Sequence, residues 1–536
     1  MKQLRLALLL SLLLSNLSPT PAQQPQGQTP PADDDEVVAR ITTNLVQLDA
    51  VVLDKEGRQV SDLSAEDFEV FEDGRPQKIT NFSYVLNAES APAAPRPKAA
   101  AGGPPPPPLK LRPRDVRRTF ALVVDDLQQS FESIYYTRRA LRKFVDEVMQ
   151  PGDLVAVIRV GGGVGALQQF TSDKQILYSA IDHVRVNLNS HRLLAAFGAI
   201  GDGGPPVASS KLRQALSDND GGKSPDAYDE FMDETGAVNS LAAVKYVLRG
   251  MRELPGRKAV LLFSEGFPLY VPDAQGNRNE RIRDQFHQMV DAAARSSTAI
   301  YTLDPRGVSY TGPTASEDIS GSSGKPADIM DALSSRDTAV WEMQATLRDI
   351  ANETGGSAFV NNNDLNIGVR RVMEAERGYY LIGYRPSGET FDKRFHKIEV
   401  KVRRAGVRVL SRKGFFGVTD EERQPKPQKP IQQLLAALTS PFGATGVEVG
   451  LTPIFTSNAK SGSYVRSLIH VKASDLTFKD EPGGWHVAMI DVFGAAFDDR
   501  GMVVQQNGAS QQVRLRGRTY ERVLRDGLVY TYDVPL

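Results

Sequence analysis

Two neighbouring carboxylates follow directly on an apolar stretch of this 536-residue chain. The run TFALVV is followed by Asp125 and Asp126, and a later run, KAVLLF, is followed by Ser264 and Glu265. In an open parallel α/β sheet, ligands bind in the crevice outside the carboxyl ends of the strands. We therefore expect these polar groups to meet at one edge of a sheet.

The side chains of this pattern offer oxygen ligands. Adjacent residues of a strand point to opposite faces, so one of Asp125 and Asp126 is expected to face the crevice. Thr235 precedes a helical pattern and adds a hydroxyl. Carboxylates and hydroxyls are the ligand set of a hard divalent cation. The alternative is that Asp126 and Ser130 only cap the next helix; the agreement between two strand ends favours a cation site.

No recognised catalytic motif accompanies these carboxylates. Cysteine is absent, which excludes thiol nucleophiles, cysteinyl zinc sites and disulfides, and the six histidines are scattered. The glycine-rich segments at 161–166 and 221–224 lack the register of a dinucleotide or phosphate loop. We predict a binding protein that is not an enzyme. A hydrolase that uses Asp126 and Glu265 is a weaker alternative.

Strand-like apolar runs and helical patterns alternate over residues 114–418, and these strands and helices must position the polar groups. Near-continuous apolar strands separated by helices predict a doubly wound, mostly parallel α/β sheet of the Rossmann type. We expect the strands of 116–416 to form one sheet, with HKIEVKVRRAGVRVLSRKGFF as a closing β-hairpin. Asp126, Thr235 and Glu265 are then expected at one edge.

The flanking segments have other compositions. Residues 39–86 show period-two apolar patterns and predict a small N-terminal β module. Residues 87–113 contain five consecutive prolines and predict an extended linker, and residues 23–38 predict a disordered lead-in. Short β runs with turn signals over residues 419–536 predict a C-terminal β-sandwich-like domain.

The first 22 residues have the order of a secretory signal peptide. Lys2 and Arg5 precede a leucine-rich run, and small residues up to Ala22 offer a cleavage site. The run is shorter than the about 20 residues of a membrane span, and no later segment reaches that length. The net charge of −1 differs from the strongly basic charge that is typical of nucleic-acid-binding proteins. We therefore expect an exported protein (periplasm, outer envelope or secreted) without a transmembrane span after signal removal and without a nucleic-acid partner.

Four motifs in order carry a family resemblance: VVDDLQQS, LPGRKAVLLFSEGF, GYYLIGYRP and VRVLSRKGFF. With them, residues 116–416 resemble a von Willebrand factor A-like (VWA) domain. The segment LSAEDFEVFEDGRPQKITNF in the preceding module extends the resemblance to the exported VWA-related proteins typical of acidobacteria. The resemblance covers roughly residues 40–420.

The resemblance implies a metal-ion-dependent adhesion site. VWA domains build it from Asp-x-Ser-x-Ser, a threonine from a later loop and an aspartate at another strand end. The matching positions here are, in that order, Asp126, Gln128, Ser130, Thr235 and Glu265. Gln128 and Glu265 depart from the pattern, so weak binding of Mg²⁺ or Ca²⁺ is expected; a neutral amide oxygen suits Ca²⁺ better.

In such a site a carboxylate of a partner protein completes the coordination of the cation. The function implied is therefore that of an exported protein-binding, adhesion-type protein. The alternative is a metal-independent scaffold of the cell envelope with the same fold. When no cation is bound, we expect Asp126 to be an unpaired carboxylate, so that Asp126→Ala still folds.

Overall fold

The structure is a computed structural model of the chain. It describes residues 45–87, 116–127, 129–161, 169–186, 225–252, 254–267, 269, 280–312, 326–386, 392, 394–417, 446–458, 462–497 and 503–535. These residues belong to one compact unit, Asn44–Leu536. The predicted signal peptide, the lead-in, most of the linker and Gln128 lie outside the described residues.

The secondary structure follows the chain in this order. The strands are β1 (Val46–Leu53), β2 (Phe68–Glu72), β3 (Arg75–Gln77), β4 (Ile79–Leu86), β5 (Arg118–Val124), β6 (Asp153–Arg159), β7 (Lys258–Phe263), β8 (Thr298–Leu303), β9 (Ala358–Phe359), β10 (Gly378–Tyr384), β11 (Phe395–Val402), β12 (Arg408–Ser411), β13 (Gly414–Phe416), β14 (Val449–Asn458), β15 (Gly462–Val471), β16 (Lys479–Glu481), β17 (Trp485–Phe497), β18 (Val503–Arg516) and β19 (Leu528–Pro535). The helices are α1 (Phe131–Lys143), α2 (Lys174–Asp182), α3 (Pro225–Met251), α4 (Glu280–Arg295), α5 (Pro326–Thr354), α6 (Leu365–Ala375) and α7 (Gly517–Asp526).

A five-stranded parallel sheet, ordered β6-β5-β7-β8-β9, confirms the predicted α/β fold class. Every residue of β5, β7 and β8 is buried, which explains their unbroken apolar runs. Alternate residues of β5 belong to two apolar clusters. Leu122 packs in the cluster that includes residues of α1, α2 and α6, whereas Val123 packs in the one that includes residues of α3 and α4. Helices therefore cover both faces of the sheet.

The expectation that the strands of 116–416 form one sheet is wrong. Strands β10 to β13 lie in two antiparallel sheets, ordered β12-β1-β10-β4 and β13-β11-β2-β3. The predicted closing hairpin is correct only in part: β11 and β13 pair antiparallel, whereas β12 between them pairs with β1 in the other sheet. The physical reason is visible in β11, where buried and exposed residues alternate. Such a strand has one solvated face, which suits an antiparallel sheet.

The two antiparallel sheets join segments that are far apart in the sequence. Ala50 of β1 pairs with Tyr380 of β10, and Val70 of β2 pairs with Val400 of β11. Phe68, Tyr380 and Ile398 contribute to the apolar core between them. The N-terminal β strands and the strands that follow the parallel sheet thus form one folded body.

The C-terminal region is rich in antiparallel strands. One sheet has the order β14-β15-β19 and another the order β16-β17-β18. This confirms the predicted β-rich character of the region. Among the helices of the described ranges, none has the length and apolar character that crossing a membrane requires.

Candidate functional site at the carboxyl-end edge

The candidate site lies where four strands of the parallel sheet end. We call it the strand-end edge and define it by Asp125, Asp126, Arg159, Ser264, Glu265 and Asp304. Val124, the last residue of β5, is in register with Phe263 of β7. The backbone N–H of Asp125 then donates to the Phe263 carbonyl oxygen at 2.9 Å. This pairing brings the polar residues after β5 and β7 to the same edge.

Asp125 is fully buried and accepts two side-chain hydrogen bonds. Its Oδ1 accepts from the Ser240 hydroxyl at 2.8 Å, and its Oδ2 accepts from the Ser264 hydroxyl at 2.7 Å. Ser240 lies on α3, so this carboxylate connects β5, β7 and α3. Asp125 therefore faces the part of the edge that α3 covers.

Asp126 forms a salt bridge with Arg159, the last residue of the neighbouring strand β6. Its Oδ2 accepts from Arg159 Nε at 3.0 Å and from Nη2 at 2.7 Å, and its Oδ1 accepts from the Gly161 backbone N–H at 2.7 Å. The Asp126 side chain is 0% exposed and that of Arg159 is 21% exposed. The expectation of an unpaired Asp126 carboxylate is wrong, because Val124 and Arg159 are partners in the sheet register.

Glu265 approaches the start of α1. Its Oε1 accepts from the Ser130 backbone N–H at 2.7 Å, and Ser130 caps α1 by accepting from the Ser133 N–H at 3.3 Å. The other carboxylate oxygen, Oε2, is buried and has no hydrogen-bond partner among the described residues. The structure therefore joins Ser130 to Glu265, and Ser130 also has the capping role of the alternative interpretation.

The other predicted ligands have different surroundings. Thr235 lies inside α3, so the expectation that it precedes a helix is wrong. Within the described ranges no hydrogen bond joins it to Asp126 or Glu265. Gln128 lies outside the described residues. Its neighbour Gln129 is buried, and its Nε2 donates to the Phe263 carbonyl oxygen at 2.6 Å. The structure thus places Asp126, Ser130 and Glu265 at one edge but does not connect Thr235 to them.

Two arginines at this edge were missed by the sequence analysis. Besides Arg159, Arg306 follows β8 and pairs with Asp304 through Nε–Oδ1 and Nη2–Oδ2 contacts of 2.9 and 2.7 Å. Arg306 Nη2 also donates to the Glu265 carbonyl oxygen at 2.7 Å. Burial lowers the pKa of Arg306, but the hydrogen bonds and charge of Asp304 outweigh it and raise that pKa. The available signal was an arginine at or just after each of two apolar strands, DLVAVIR and TAIYTLDPR.

Three exposed aromatic side chains stand beside this edge on the first turns of α1. Phe131 is 68% exposed, Tyr135 60% and Tyr136 40%. The rings of Tyr135 and Tyr136 have centroids 5.5 Å apart. Because Phe131 directly follows Ser130, which is bonded to Glu265, this aromatic patch (Phe131, Tyr135, Tyr136) adjoins the strand-end edge.

The comparisons with known proteins give no family for the chain. No protein-family model matches it, and no curated protein matches it. Among solved structures it is similar to a single-residue mutant of the PilB minor pilin from Streptococcus sanguinis, at 8% identity, over 63% of this chain and 87% of that chain. The TM-score of that likeness is 0.21, which supports neither a fold nor a function.

Proposed function

We propose that the chain is an exported, non-enzymatic protein-binding protein that engages a partner protein at the strand-end edge without a divalent cation. The observation that carries this proposal is that both Asp126 carboxylate oxygens already accept hydrogen bonds, Oδ2 from the Arg159 guanidinium and Oδ1 from the Gly161 N–H. In the VWA-like interpretation Asp126 is the first metal ligand. Here the guanidinium already supplies the positive charge that a cation would bring to this carboxylate.

The aromatic patch supports a protein as the partner. Tyrosine and other aromatic side chains are enriched among the residues that contribute most to protein–protein binding. Three such side chains are exposed on two turns of one helix, next to the buried polar network that fixes the position of that helix. A partner can bury these rings against a rigid surface.

Export, the VWA-like fold class and the C-terminal β-sandwich-like domain belong to the same proposal. The charged, apolar and small-residue order of residues 1–22 supports export. A parallel sheet with helices on both faces agrees with a VWA-like domain. The hydrolase alternative lacks similar support, because the salt bridge with Arg159 neutralises the Asp126 carboxylate that it requires.

A cation-dependent adhesion site is the second candidate, and the buried Glu265 Oε2 favours it. This oxygen has no partner within the described ranges, and Asp125 and Ser264 lie at the same edge. Such a site would take Mg²⁺ or Ca²⁺ with Asp125, in place of Asp126, as the ligand after β5. Partner binding would then require the cation.

Cation titration separates the two candidates. We expect no saturable heat when the wild-type protein is titrated with Mg²⁺ or Ca²⁺ up to millimolar concentration, because Arg159 neutralises Asp126. Arg159→Met frees that carboxylate, so we expect a rise in Tm with either cation in this variant alone. Saturable binding by the wild type that Asp125→Asn abolishes and Asp126→Asn retains would instead establish the second candidate.

Site-specific photo-crosslinking tests the protein partner. With a photo-crosslinking amino acid in place of Phe131, we expect an adduct with one envelope protein in the producing cell, formed equally with EDTA and with Mg²⁺ or Ca²⁺. The matched control places the same group at Tyr246, which is 53% exposed on α3, and should give no such adduct. An adduct that needs the cation, or equal adducts at both positions, contradicts the metal-independent proposal.

A further inference from the structure

A second group of metal-ligating side chains lies in the antiparallel sheets, apart from the strand-end edge. Glu72 is the last residue of β2, Asp73 begins the turn to β3, and His396 lies on β11. Strands β2 and β11 are paired, with Glu72 opposite Ile398. We call Glu72, Asp73, Asp392 and His396 the His396 cluster.

The ligand atoms of three of these residues are close enough for one ion. His396 Nδ1 lies 2.9 Å from Asp73 Oδ2 and 3.6 Å from Glu72 Oε1. One ligand atom from each of the three residues lies within 4.8 Å of the other two. Tetrahedral zinc with bonds of about 2.0–2.2 Å requires ligand atoms about 3.3–3.6 Å apart. The His396–Glu72 distance of 3.6 Å is close to this spacing, and the His396–Asp73 distance of 2.9 Å must lengthen to reach it.

Outer partners fix the orientation of two of these ligands, His396 and Glu72. His396 Nε2 lies 3.0 Å from Asp392 Oδ1, on the side of the ring opposite to Glu72 and Asp73. The Tyr384 hydroxyl donates to Glu72 Oε2 at 2.6 Å. Metal-bound histidines commonly donate their other ring N–H to a carboxylate, and bound carboxylates are themselves hydrogen-bonded. The cluster therefore has both the inner ligands and their outer supports.

The burial and the charge of the His396 cluster also favour cation binding. His396 is 7% exposed and Glu72 6%, whereas the Asp73 side chain is 50% exposed and leaves a path for an ion to enter. Arg394 Nε pairs with Asp392 at 2.7 Å and neutralises it. The cation takes the place of the proton on His396 Nδ1, which is released to solvent. A divalent cation bound by the neutral ring then balances the remaining two carboxylates, Glu72 and Asp73.

We propose that Glu72, Asp73 and His396 bind one Zn²⁺ ion, with a water molecule in the fourth position. The ion joins the turn after β2 to β11, two segments separated by more than 300 residues. The site shares no residue with the strand-end edge, so the proposal stands independently of the proposed function.

Titration of the full-length protein with Zn²⁺ tests the proposal. We expect one ion per chain and an increase in Tm on addition of Zn²⁺, which EDTA reverses. His396→Gln and Asp73→Asn should each weaken binding at least tenfold, and Asp392→Asn, which removes an outer support, by about 10–100-fold. Co²⁺ should give the visible absorption of a four-coordinate ion with the wild type and lose it with His396→Gln.

The matched control is His486→Gln. His486 Nδ1 also contacts a carboxylate, Asp480 Oδ1, at 2.6 Å, but among the described residues it belongs to no group of three metal-ligating side chains. This variant should bind Zn²⁺ like the wild type. Circular dichroism verifies folding, and Asp73→Asn decides the outcome if His396→Gln does not fold. Equal isotherms for the wild type and the folded variants, or no Zn²⁺ binding by the wild type, would overturn the proposal.

Discussion

Replacement of Arg159 by methionine is expected to lower the free energy of unfolding by about 3–5 kcal/mol, the usual cost of leaving one member of a buried ion pair without its partner. Asp126 is 0% exposed. In the variant it loses its hydrogen bonds from Arg159 and retains the one from the Gly161 N–H. Methionine preserves much of the apolar stem of arginine, so the loss reports mainly on the charge. Urea unfolding at pH 7 measures it.

Two controls isolate the buried ion pair. The double variant Asp126→Asn/Arg159→Met should recover much of the lost stability, because it removes both charges of the pair and leaves neither without its partner. Arg283→Met removes an exposed pair, Arg283–Glu280, with side chains 48% and 80% exposed, and should cost about 0–1 kcal/mol. Equal stabilities of Arg159→Met and Arg283→Met would show that Asp126 is not held by Arg159.

Gly266→Ala is expected to lower the free energy of unfolding by about 2–4 kcal/mol, from left-handed backbone strain and overpacking together. Gly266 follows Glu265 and has φ +83°, a conformation that favours glycine. A Cβ atom there would lie 2.4 Å from the Met343 carbonyl oxygen. Because that oxygen belongs to the backbone of α5, the helix itself must move.

Gly256→Ala is the matched control for the backbone strain. Gly256 has φ +71°, but a Cβ atom there would have nothing within 4 Å. This variant should cost about 1–2 kcal/mol, so the difference between the two variants measures the close approach of Gly266 to α5. Chemical denaturation of both variants provides the values. If they unfold at the same denaturant concentration, the contact with Met343 is looser than described.

The local pattern of the sequence was sufficient for the parallel sheet and for its polar edge. Strands that are buried on both faces consist of unbroken apolar residues, so TFALVV and KAVLLF are visible without any partner. The residues after them, Asp125 and Ser264, then fall at one edge by the geometry of parallel strands. That part of the candidate site follows from short segments alone.

The pairing of the edge residues could not be obtained in the same way. Arg159 contacts Asp126 because β6 is the neighbour of β5 in the sheet. The sequence of a strand does not reveal which other strand lies beside it. Ser240 contacts Asp125 because α3 covers this face, whereas both the helical pattern and the resemblance pointed to Thr235, five residues earlier. Strand order and helix placement decide both contacts.

The pairing of strands in the antiparallel sheets could not be predicted from local sequence either, and here the partners are farther apart along the chain. GYYLIGYRP has the apolar character of a parallel strand, but its neighbours in the sheet are β1 and β4. The His396 cluster depends on the pairing of β2 with β11, so six scattered histidines gave no indication of it. Such pairings depend on the whole fold.

The same long-range pairing determines the order in which the chain can fold. Both neighbours of β10 come from the first 86 residues, and Leu63 bonds to the Tyr380 hydroxyl across 317 positions. Contacts between residues so far apart in the sequence form late in folding, because the conformational entropy of the intervening chain must be lost first. During synthesis β1 and β4 leave the ribosome long before β10. Until β10 pairs with them, their backbone edges are unpaired and prone to aggregation. A fragment that starts after the proline-rich segment lacks both strands, so β10 would have no template on either side.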